Sequence, residues 1–382
     1  MFNRIIDRFI ELNSSFFLFG ARGTGKTFWL KEKLSENSLI IDLLKSENYI
    51  ALQNKPGYLE ELIPNHYKGW IVIDEVQKIP ILLNEVHRLI ESKDYKFILT
   101  GSSARSLRKK GVNLLGGRAF TYKLYPLIAE ELGSKWDLER ALEYGLLPSV
   151  YARHENQPKK YLQSYINTYL REEVLQEGLT RNLGAFSRFM EIASFSQGSV
   201  LNMTEISREA QINRKVVEGY FNLLEDLLIA YRIPVFTRKA KRKLVSHSKF
   251  YYFDAGVYRQ LRKASPLDSK PSVAGISLET LVLQHLIAIN EYHDLDYQIY
   301  YWRTQYGLEV DFILYGPRGL ISIEVKASDK IHPSDLKALK HFKEDYKVAK
   351  LYVFYGGSKK LYINDIEIIP VTTALKDLRN IL

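Results

Sequence analysis

Phe16-Phe17-Leu18-Phe19-Gly20-Ala21-Arg22-Gly23-Thr24-Gly25-Lys26-Thr27 is an apolar run that breaks into a glycine-rich turn and then opens a helical pattern. Its last eight residues match G-x-x-x-x-G-K-[ST], the phosphate-binding P-loop, in the strand-loop-helix setting that gives the match its meaning. Glycines let backbone N–H groups turn toward phosphate oxygens, and the N-terminus of the following helix adds positive potential. Gly20, Ala21, Arg22, Gly23, Thr24, Gly25, Lys26 and Thr27 are therefore the expected nucleotide-binding residues. Lys26 suits the β- and γ-phosphates and the Thr27 hydroxyl suits Mg²⁺, so the expected ligand is ATP with Mg²⁺.

Outward from this stretch, the apolar runs Phe16 to Phe19, Leu39 to Leu43, Trp70 to Ile73 and Phe97 to Leu99 alternate with helical segments. That rhythm predicts βαβ units and a parallel sheet covered on both faces. The third run ends in Asp74-Glu75, at the strand end where open α/β sheets bind ligands. Behind a P-loop, Asp74 is expected to hold Mg²⁺ and Glu75 to orient and polarise the attacking water. Alone, the same letters would read as a solvated acidic turn. The fourth run ends Leu99-Thr100-Gly101-Ser102-Ser103, where Thr100 or Ser102 either contacts the γ-phosphate or belongs to a simple turn. Arg118, after Gly116-Gly117, is either a γ-phosphate sensor, in cis or across an oligomer interface, or a surface arginine. A small-molecule kinase would share the P-loop, but Asp74-Glu75 suits water activation better.

At 382 residues the chain is long enough for two or three domains. With 46% hydrophobic and 26% charged residues it has ordinary globular composition. No run approaches the ~18 consecutive apolar residues of a membrane span, so no membrane association is expected. Phe2, Ile5, Ile6 and Phe9 fall at helical spacing among charges, which predicts a docking helix and not a signal peptide. There is no cysteine, which excludes disulfides and thiolate metal sites and makes a cytoplasmic location the expectation.

The net charge is +10, which favours a polyanionic partner. Arg238, Lys239, Lys241, Arg242 and Lys243 form one basic cluster, and Arg105, Arg108, Lys109 and Lys110 another. Either is a nucleic-acid contact or a solvated loop.

Three modules are expected: 1–150, 151–265 and 266–382. In the second, Tyr161 to Gln176 reads as a lever helix, with Leu162, Tyr165, Ile166, Tyr169 and Leu170 at core-like spacing. Thr204 to Ala210 reads as a short helix capped by Thr204 or Asn202. A turn at Gln211-Ile212-Asn213 leads into a longer helix, Arg214 to Leu228, with Val217, Phe221, Leu224, Leu227 and Leu228 on one face. Strand-like runs follow at Ala230 to Phe236 and Lys249 to Phe253. Helix-turn-helix then basic hairpin is the layout of a winged helix, for which DNA is the expected partner and protein docking the alternative. A homo-oligomer or a protein partner stays open beside DNA.

The third module reads as a helix Leu278 to Asn290, strands Gln298 to Arg303, Glu309 to Tyr315 and Gly319 to Lys326, a helix Ser334 to Tyr346, and a strand Lys350 to Tyr355. Residues i and i+2 of a strand share a face, so Glu324 and Lys326 project together, and Asp311 and Glu279 are expected to meet them. Hard carboxylates of this kind suit Mg²⁺ or Mn²⁺. In the alternative, Ile321, Ile323 and Val325 form the core face while Ser322, Glu324 and Lys326 face water. His285 and His293 show no zinc-ligand pattern.

The P-loop with Arg22, the stretch Ile73 to Pro80, the strand end at Leu99 to Ser103, Gly117-Arg118 and Tyr125-Pro126-Leu127 resemble prokaryotic AAA-type ATPases that carry a C-terminal domain of unknown function. The resemblance extends through Tyr144 to Pro148 and spans nearly the whole chain; Gly23 departs from the glutamine common in that group. It implies an ATPase akin to the origin-recognition and signal-transducing types. The third module resembles the PD-(D/E)xK, restriction-endonuclease-like superfamily. That resemblance implies Asp311 and Glu324 as metal ligands, Lys326 as catalytic, Glu279 as an auxiliary ligand, and a second Mg²⁺ or Mn²⁺. The combined expectation is an α/β chain with a P-loop ATPase sheet, a winged helix and a nuclease-like domain. Nucleotide state would control a DNA-binding region, or, in the alternative, a protein-interaction switch whose C-terminal domains perform no chemistry.

Overall fold

The computed structural model describes residues 2–34, 38–105, 107, 115–153, 157–176, 182–238, 242, 244–262 and 270–382. They divide into two compact units, Arg4–Pro126 with Asp226–Leu228, and Met1–Asn3 with Leu127–Glu225 and Ile229–Leu382.

In the first unit all four residues of β1 (Phe16–Phe19) are buried. With β2 (Ser38–Asp42), β3 (Trp70–Asp74), β4 (Lys96–Gly101) and β5 (Phe120–Lys123) it makes a five-stranded sheet in the order β2-β3-β4-β1-β5. Every pairing is parallel. Parallel strands need crossovers that cover the faces, which is why these runs are continuously apolar and not alternating. Phe17, Phe19, Ile71, Ile73 and Leu99 pack with Leu82, Leu83, Val86 and Leu89 of the helix Leu82–Lys93. Near the N-terminus Ile6 and Phe9 are buried, and Phe9 stacks on Tyr122 with ring centroids 3.7 Å apart. The four expected strands are present, and β5 adds a fifth beyond β1. Because β3, β4 and β1 are neighbours and parallel, their C-terminal ends lie along one edge of the sheet, the edge where open α/β sheets bind ligands.

Residues 127–150, grouped with the ATPase module on sequence, fold with the second unit. Leu127 N–H donates to Leu146 O at 2.8 Å, and Leu146 N–H to Asp254 Oδ2 at 2.7 Å. The buried side chains of Leu127, Ile128, Leu146 and Leu147 supply the physical reason.

The lever segment is helical over Gln157–Ser164, turns π-helical over Tyr165–Leu170 and is α-helical again over Arg171–Gln176. Helices Met203–Ala210 and Arg214–Asp226 follow, and the first is capped by the Asn202 side chain, which accepts from Glu205 N–H. β6 (Ser199–Val200), β7 (Ala230–Ile233) and β8 (Lys249–Tyr252) form an antiparallel sheet ordered β6-β8-β7. The expected strand 230–236 ends at Ile233, because the next residues leave this sheet. Tyr301 N–H donates to Pro234 O at 3.0 Å and Phe236 N–H to Tyr301 O at 2.7 Å. Phe236 is thereby buried among Trp302, Leu339 and Phe342.

Those partners belong to a six-stranded sheet of β9 (Gln298–Arg303), β10 (Glu309–Gly316), β11 (Gly319–Lys326), β12 (Lys350–Tyr355), β13 (Leu361–Ile363) and β14 (Ile366–Pro370), ordered β13-β14-β12-β11-β10-β9. β9, β10 and β11 pair antiparallel, whereas β11, β12 and β14 are parallel. β11 is central and buried from Leu320 to Val325, Ser322 and Glu324 included. The reading that put Ser322 and Glu324 in water is thus overturned: a strand with neighbours on both sides and layers on both faces has no solvent face.

The helix Lys270–Tyr292 extends well beyond the expected 278–290. By length and composition its segment Ser272–Tyr292 is apolar enough to cross a membrane, with mean hydropathy 1.5. A search for unbroken apolar runs misses it, since Ser277, Glu279, Thr280, Gln284 and His285 interrupt the run. Those polar groups are bonded within the unit: Gln284 Nε2 donates to Leu127 O at 3.0 Å, and Gln197 Nε2 to Thr280 Oγ at 2.8 Å.

Candidate functional site

The nucleotide site begins with backbone that only glycine adopts freely. Gly23 and Gly25 have φ of 88° and 97°, in the left-handed region closed to most side chains. At Gly20 a Cβ would stand 2.5 Å from Leu124 O. Inside the loop Thr24 folds its hydroxyl onto Ala21 O at 2.8 Å. Lys26 Nζ donates to Gly20 O at 2.6 Å and lies more weakly against Ala21 O at 3.4 Å. From below, the buried Arg4 donates to Thr24 O at 3.0 Å and Tyr125 O at 2.7 Å. Arg4 thus pins the loop to the chain after β5; lying outside the motif, it carries no signal of this role in the sequence.

On the same sheet edge, Asp74 at the end of β3 is 2% exposed. The Thr27 hydroxyl donates to its Oδ2 at 3.0 Å and the Thr100 hydroxyl to its Oδ1. Thr100 also accepts from Glu75 N–H at 3.3 Å. Thr100, expected either at the γ-phosphate or in a simple turn, is thus bonded to both members of the acidic pair. Glu75 has φ 64° and ψ 43°, a left-handed backbone that costs a non-glycine residue roughly 1–2 kcal/mol. Such outliers persist where surrounding contacts enforce them, often at working residues. Gln77 Nε2 bonds Glu75 Oε2 at 2.5 Å and reaches Ser102 Oγ at 3.5 Å. A Cβ at Gly101 would collide with the Gln77 carboxamide, so that glycine makes room for the contact. Gln77, bonded to Glu75, is the second residue of this neighbourhood that the motifs alone do not single out.

The oxygens of Thr27 and Asp74 stand side by side and are of the hard type Mg²⁺ prefers; with the glycine cradle and Lys26, the residues present fit a Mg²⁺–nucleotide. Arg118 is bonded by Glu91 of the helix Leu82–Lys93 and lies 3.4 Å from Gly116 O. Any role at a phosphate requires it to leave Glu91.

In the second unit the half-buried Glu279 and the buried Asp311 and Glu324 do gather in one neighbourhood, but a cation of the protein is already there. Lys249 on β8, 1% exposed, pairs with Glu309 and lies 3.6 Å from Asp311 Oδ1 and 3.9 Å from Glu279 Oε2. Asp311 Oδ2 accepts from Val325 N–H at 2.8 Å, and Glu279 Oε2 accepts from the Tyr251 hydroxyl at 3.0 Å. Lys326 Nζ donates to Glu324 Oε1 at 2.7 Å, while Glu324 Oε2 is buried with no partner among the described residues. Burial, then the nearby Asp311, pushes the Glu279 carboxyl up to about 8, and the same causes hold Glu324 well above the usual carboxylate range. Burial opposes the charge on Lys249, yet Tyr251, Glu279, Asp311 and Glu309 outweigh it and hold the ammonium well above its ordinary pKa.

Among the described residues no group of three or more His, Cys, Asp or Glu side chains is arranged to hold a metal ion. The expected second Mg²⁺ or Mn²⁺ therefore does not fit this arrangement of Glu279, Asp311 and Glu324: one Asp311 oxygen is committed to β11, and an ammonium stands among the rest. Lys249 opens the otherwise apolar strand Lys249–Tyr252, and that misplaced charge was the one signal of its role.

The basic clusters are only partly visible. Arg108, Lys109, Lys110, Lys239, Lys241 and Lys243 lie outside the described residues. Arg242 pairs with Glu344 and Asp345, each at 2.8 Å, and Arg238 stacks 4.6 Å over the Tyr315 ring. His285 accepts from Ala129 N–H at Nε2 (2.9 Å) and faces Leu281 O from Nδ1 (2.8 Å), a structural role.

With this geometry in hand, the likenesses to known proteins are informative for the first unit. The model of an AAA domain matches residues 13–133. Two domains of unknown function, DUF8612 and DUF4143, match residues 135–268 and 274–374. An uncharacterised protein of Mycobacterium tuberculosis is 26% identical over 303 residues, covering 78% of this chain and 67% of its own. Uncharacterised proteins of Haemophilus influenzae (22% identical, 92% of each chain) and Methanocaldococcus jannaschii (23% identical, 96% of this chain and 90% of its own) are also similar. A solved Vibrio cholerae protein aligns with 95% of this chain and 96% of its own at 13% identity, but its TM-score of 0.23 carries no argument. The chain thus has an AAA-type domain at its N-terminal end and a domain of unknown function at its C-terminal end.

Proposed function

We propose that this chain is a Mg²⁺-dependent ATP hydrolase in which Glu75 is the water-activating base, and that its nucleotide state governs a DNA-binding C-terminal region. The AAA match supports nucleotide binding and hydrolysis for the first half. The observation that carries the site assignment is Glu75 held in a left-handed backbone beside the Thr27–Asp74 hydrogen bond.

The P-loop amides and Lys26 bind and orient the phosphates. Thr27 and Asp74 would hold Mg²⁺, which when bound neutralises charge on the phosphate oxygens. Glu75 accepts the proton of the attacking water, and Gln77 fixes the direction in which its carboxylate points. In Lys26→Ala, nucleotide binding should fail. In Glu75→Gln, binding should survive while turnover falls about 10²–10⁴-fold, the usual worth of a general base. Wild-type turnover in Glu75→Gln would remove Glu75 from this role.

For the DNA half, support comes from the net charge of +10 and from the exposed first turn Asn213-Arg214-Lys215 of the second helix, followed by the β7–β8 ribbon. A winged helix reads DNA from such a turn. Duplex affinity should fall steeply with salt. Each basic side chain removed from a phosphate, by Arg214→Ala or Lys215→Ala, should make the log–log slope shallower by about one. A salt-independent affinity would sink the DNA reading.

The second reading, a nucleotide-controlled interaction switch whose C-terminal domains perform no chemistry, is favoured by Lys249 among the carboxylates. Incubating the protein with DNA or RNA and Mn²⁺ separates the two: metal-dependent cleavage that disappears in Lys326→Ala would reject the switch and support a nuclease-like domain.

A further inference from the structure

We propose that the Lys249 ammonium is the resident cation of the C-terminal carboxylate cluster, occupying the position a divalent metal would need and keeping that cluster metal-free. The proposal stands apart from the ATPase reading, since every residue in it belongs to the second unit.

The delivery is rigid. Lys249 sits on β8, the middle strand of its sheet, in register with Ile233 of β7 and Val200 of β6. Its side chain is thus launched from a hydrogen-bonded strand and not from a loop. At its far end the ammonium meets oxygens from two other elements: Glu279 of the helix Lys270–Tyr292, and Glu309 and Asp311 of β10. The Tyr301 ring, 5.6 Å from Nζ, adds a π-face that further favours a cation.

A divalent ion needs several oxygens at once, close to 2 Å for Mg²⁺ and a little further for Ca²⁺. Here those oxygens are already engaged by a buried ammonium, which would repel a second cation inside a low-dielectric interior. Glu279 Oε2, the oxygen of the helix Lys270–Tyr292 facing the ammonium, is also held by a second group. Tyr251 holds that same oxygen from its own side. Lys249 therefore supplies the positive charge that gathers these carboxylates, and at the same time ties the β6-β8-β7 sheet to β10. Glu324 Oε2, buried and without a partner among the described residues, is the acid oxygen this arrangement leaves unanswered.

The test uses the full chain carrying Thr27→Ala and Asp74→Asn, so that the nucleotide site takes no metal, and follows Mn²⁺ by the EPR signal of the free ion. Without nucleotide this parent should bind no Mn²⁺ at submillimolar concentration, and Mn²⁺ should leave its Tm unchanged. Adding Lys249→Met, close in length but neutral, should create one Mn²⁺ site and a Mn²⁺-dependent rise in Tm, both abolished by adding Asp311→Asn. Lys249→Arg should stay metal-free. A Mn²⁺ site in the parent that disappears with Asp311→Asn overturns the proposal, as does a folded Lys249→Met protein with no such site. Should Lys249→Met fail to fold, the parent and its Asp311→Asn derivative decide alone.

Discussion

The Thr27 hydroxyl donates to Asp74 Oδ2 at 3.0 Å, joining the first turn after the P-loop to the end of β3. One carboxylate oxygen thereby faces the helix that starts the phosphate site, while the other is taken by Thr100.

Breaking that pair should cost catalysis far more than stability. Thr27→Ala removes a single hydrogen bond at a partly open site, worth about 1 kcal/mol. ATP turnover should nevertheless fall about 10²-fold, and the Mg²⁺ concentration for half-maximal rate should rise. A Mg²⁺ titration of steady-state hydrolysis, with thermal unfolding measured alongside, checks both halves. Wild-type Mg²⁺ dependence in the mutant would exclude Thr27 as a ligand.

Gln77 and Gly101 should behave as a unit. Gln77→Ala releases the Glu75 carboxylate, and Gly101→Ala pushes the carboxamide out of the same place. Both should lower kcat by roughly 10–10²-fold, the scale of a misplaced catalytic group, with nucleotide affinity unchanged. Fluorescent-nucleotide binding beside single-turnover hydrolysis separates the two effects. Equal losses of binding and rate would mean the loop itself had been disturbed.

His285 gives the second unit a distinctive acid limb. Burial lowers its pKa to about 4, and its Nε2 is committed to accepting from Ala129 N–H. A base with a depressed folded pKa contributes stability that is present above its unfolded value near 6.5 and is lost as pH falls through about 4. The shift corresponds to about 3 kcal/mol. In urea unfolding the stability margin of the wild type over His285→Gln should therefore narrow steadily from pH 6.5 to 4. A margin that stays constant over that range would show that another group carries the effect.

Glu279 acts in the opposite sense and in a higher window. Its folded pKa is raised to about 8, mainly by burial, from an ordinary value of 4.5. A raised acid contributes stability that is complete below the unfolded pKa and disappears as pH rises through the folded one. This contribution should thus be lost between pH 4.5 and about 8, and Glu279→Gln should flatten that decline while leaving the His285 contribution intact. An unchanged alkaline slope in Glu279→Gln would assign the decline to other groups.

What could be read from the residues in advance depended on how local each signal was. Gly20 to Thr27 carries its geometry in its own letters, since left-handed backbone at Gly23 and Gly25 needs glycine. The apolar runs likewise announced β1 to β4, because strands buried on both faces are unbroken in hydropathy. Glu324 and Lys326 were legible as neighbours from strand periodicity alone. Their surroundings were not: Lys249 reaches Glu309 across sixty residues of chain, and no spacing rule predicts that meeting. Gln77 escaped for a different reason, as its meaning depends on Glu75 adopting a backbone that non-glycine residues avoid. Strand β5 was missed because Phe120 and Tyr122 alternate with polar residues at a sheet edge.

Phe236 is buried among β9, β10 and the helix that follows β11, while Lys249 reaches β10 from the neighbouring ribbon. Both residues precede the long helix, and what they hold lies on it or after it. For heredity this makes the junction a poor place to recombine. A crossover between residues 253 and 298 would hand one descendant an apolar side chain and a cation without their sockets, and the other the sockets without their occupants. The two stretches are thus expected to be inherited together, each covarying with the other at positions 236, 249, 279, 309 and 311.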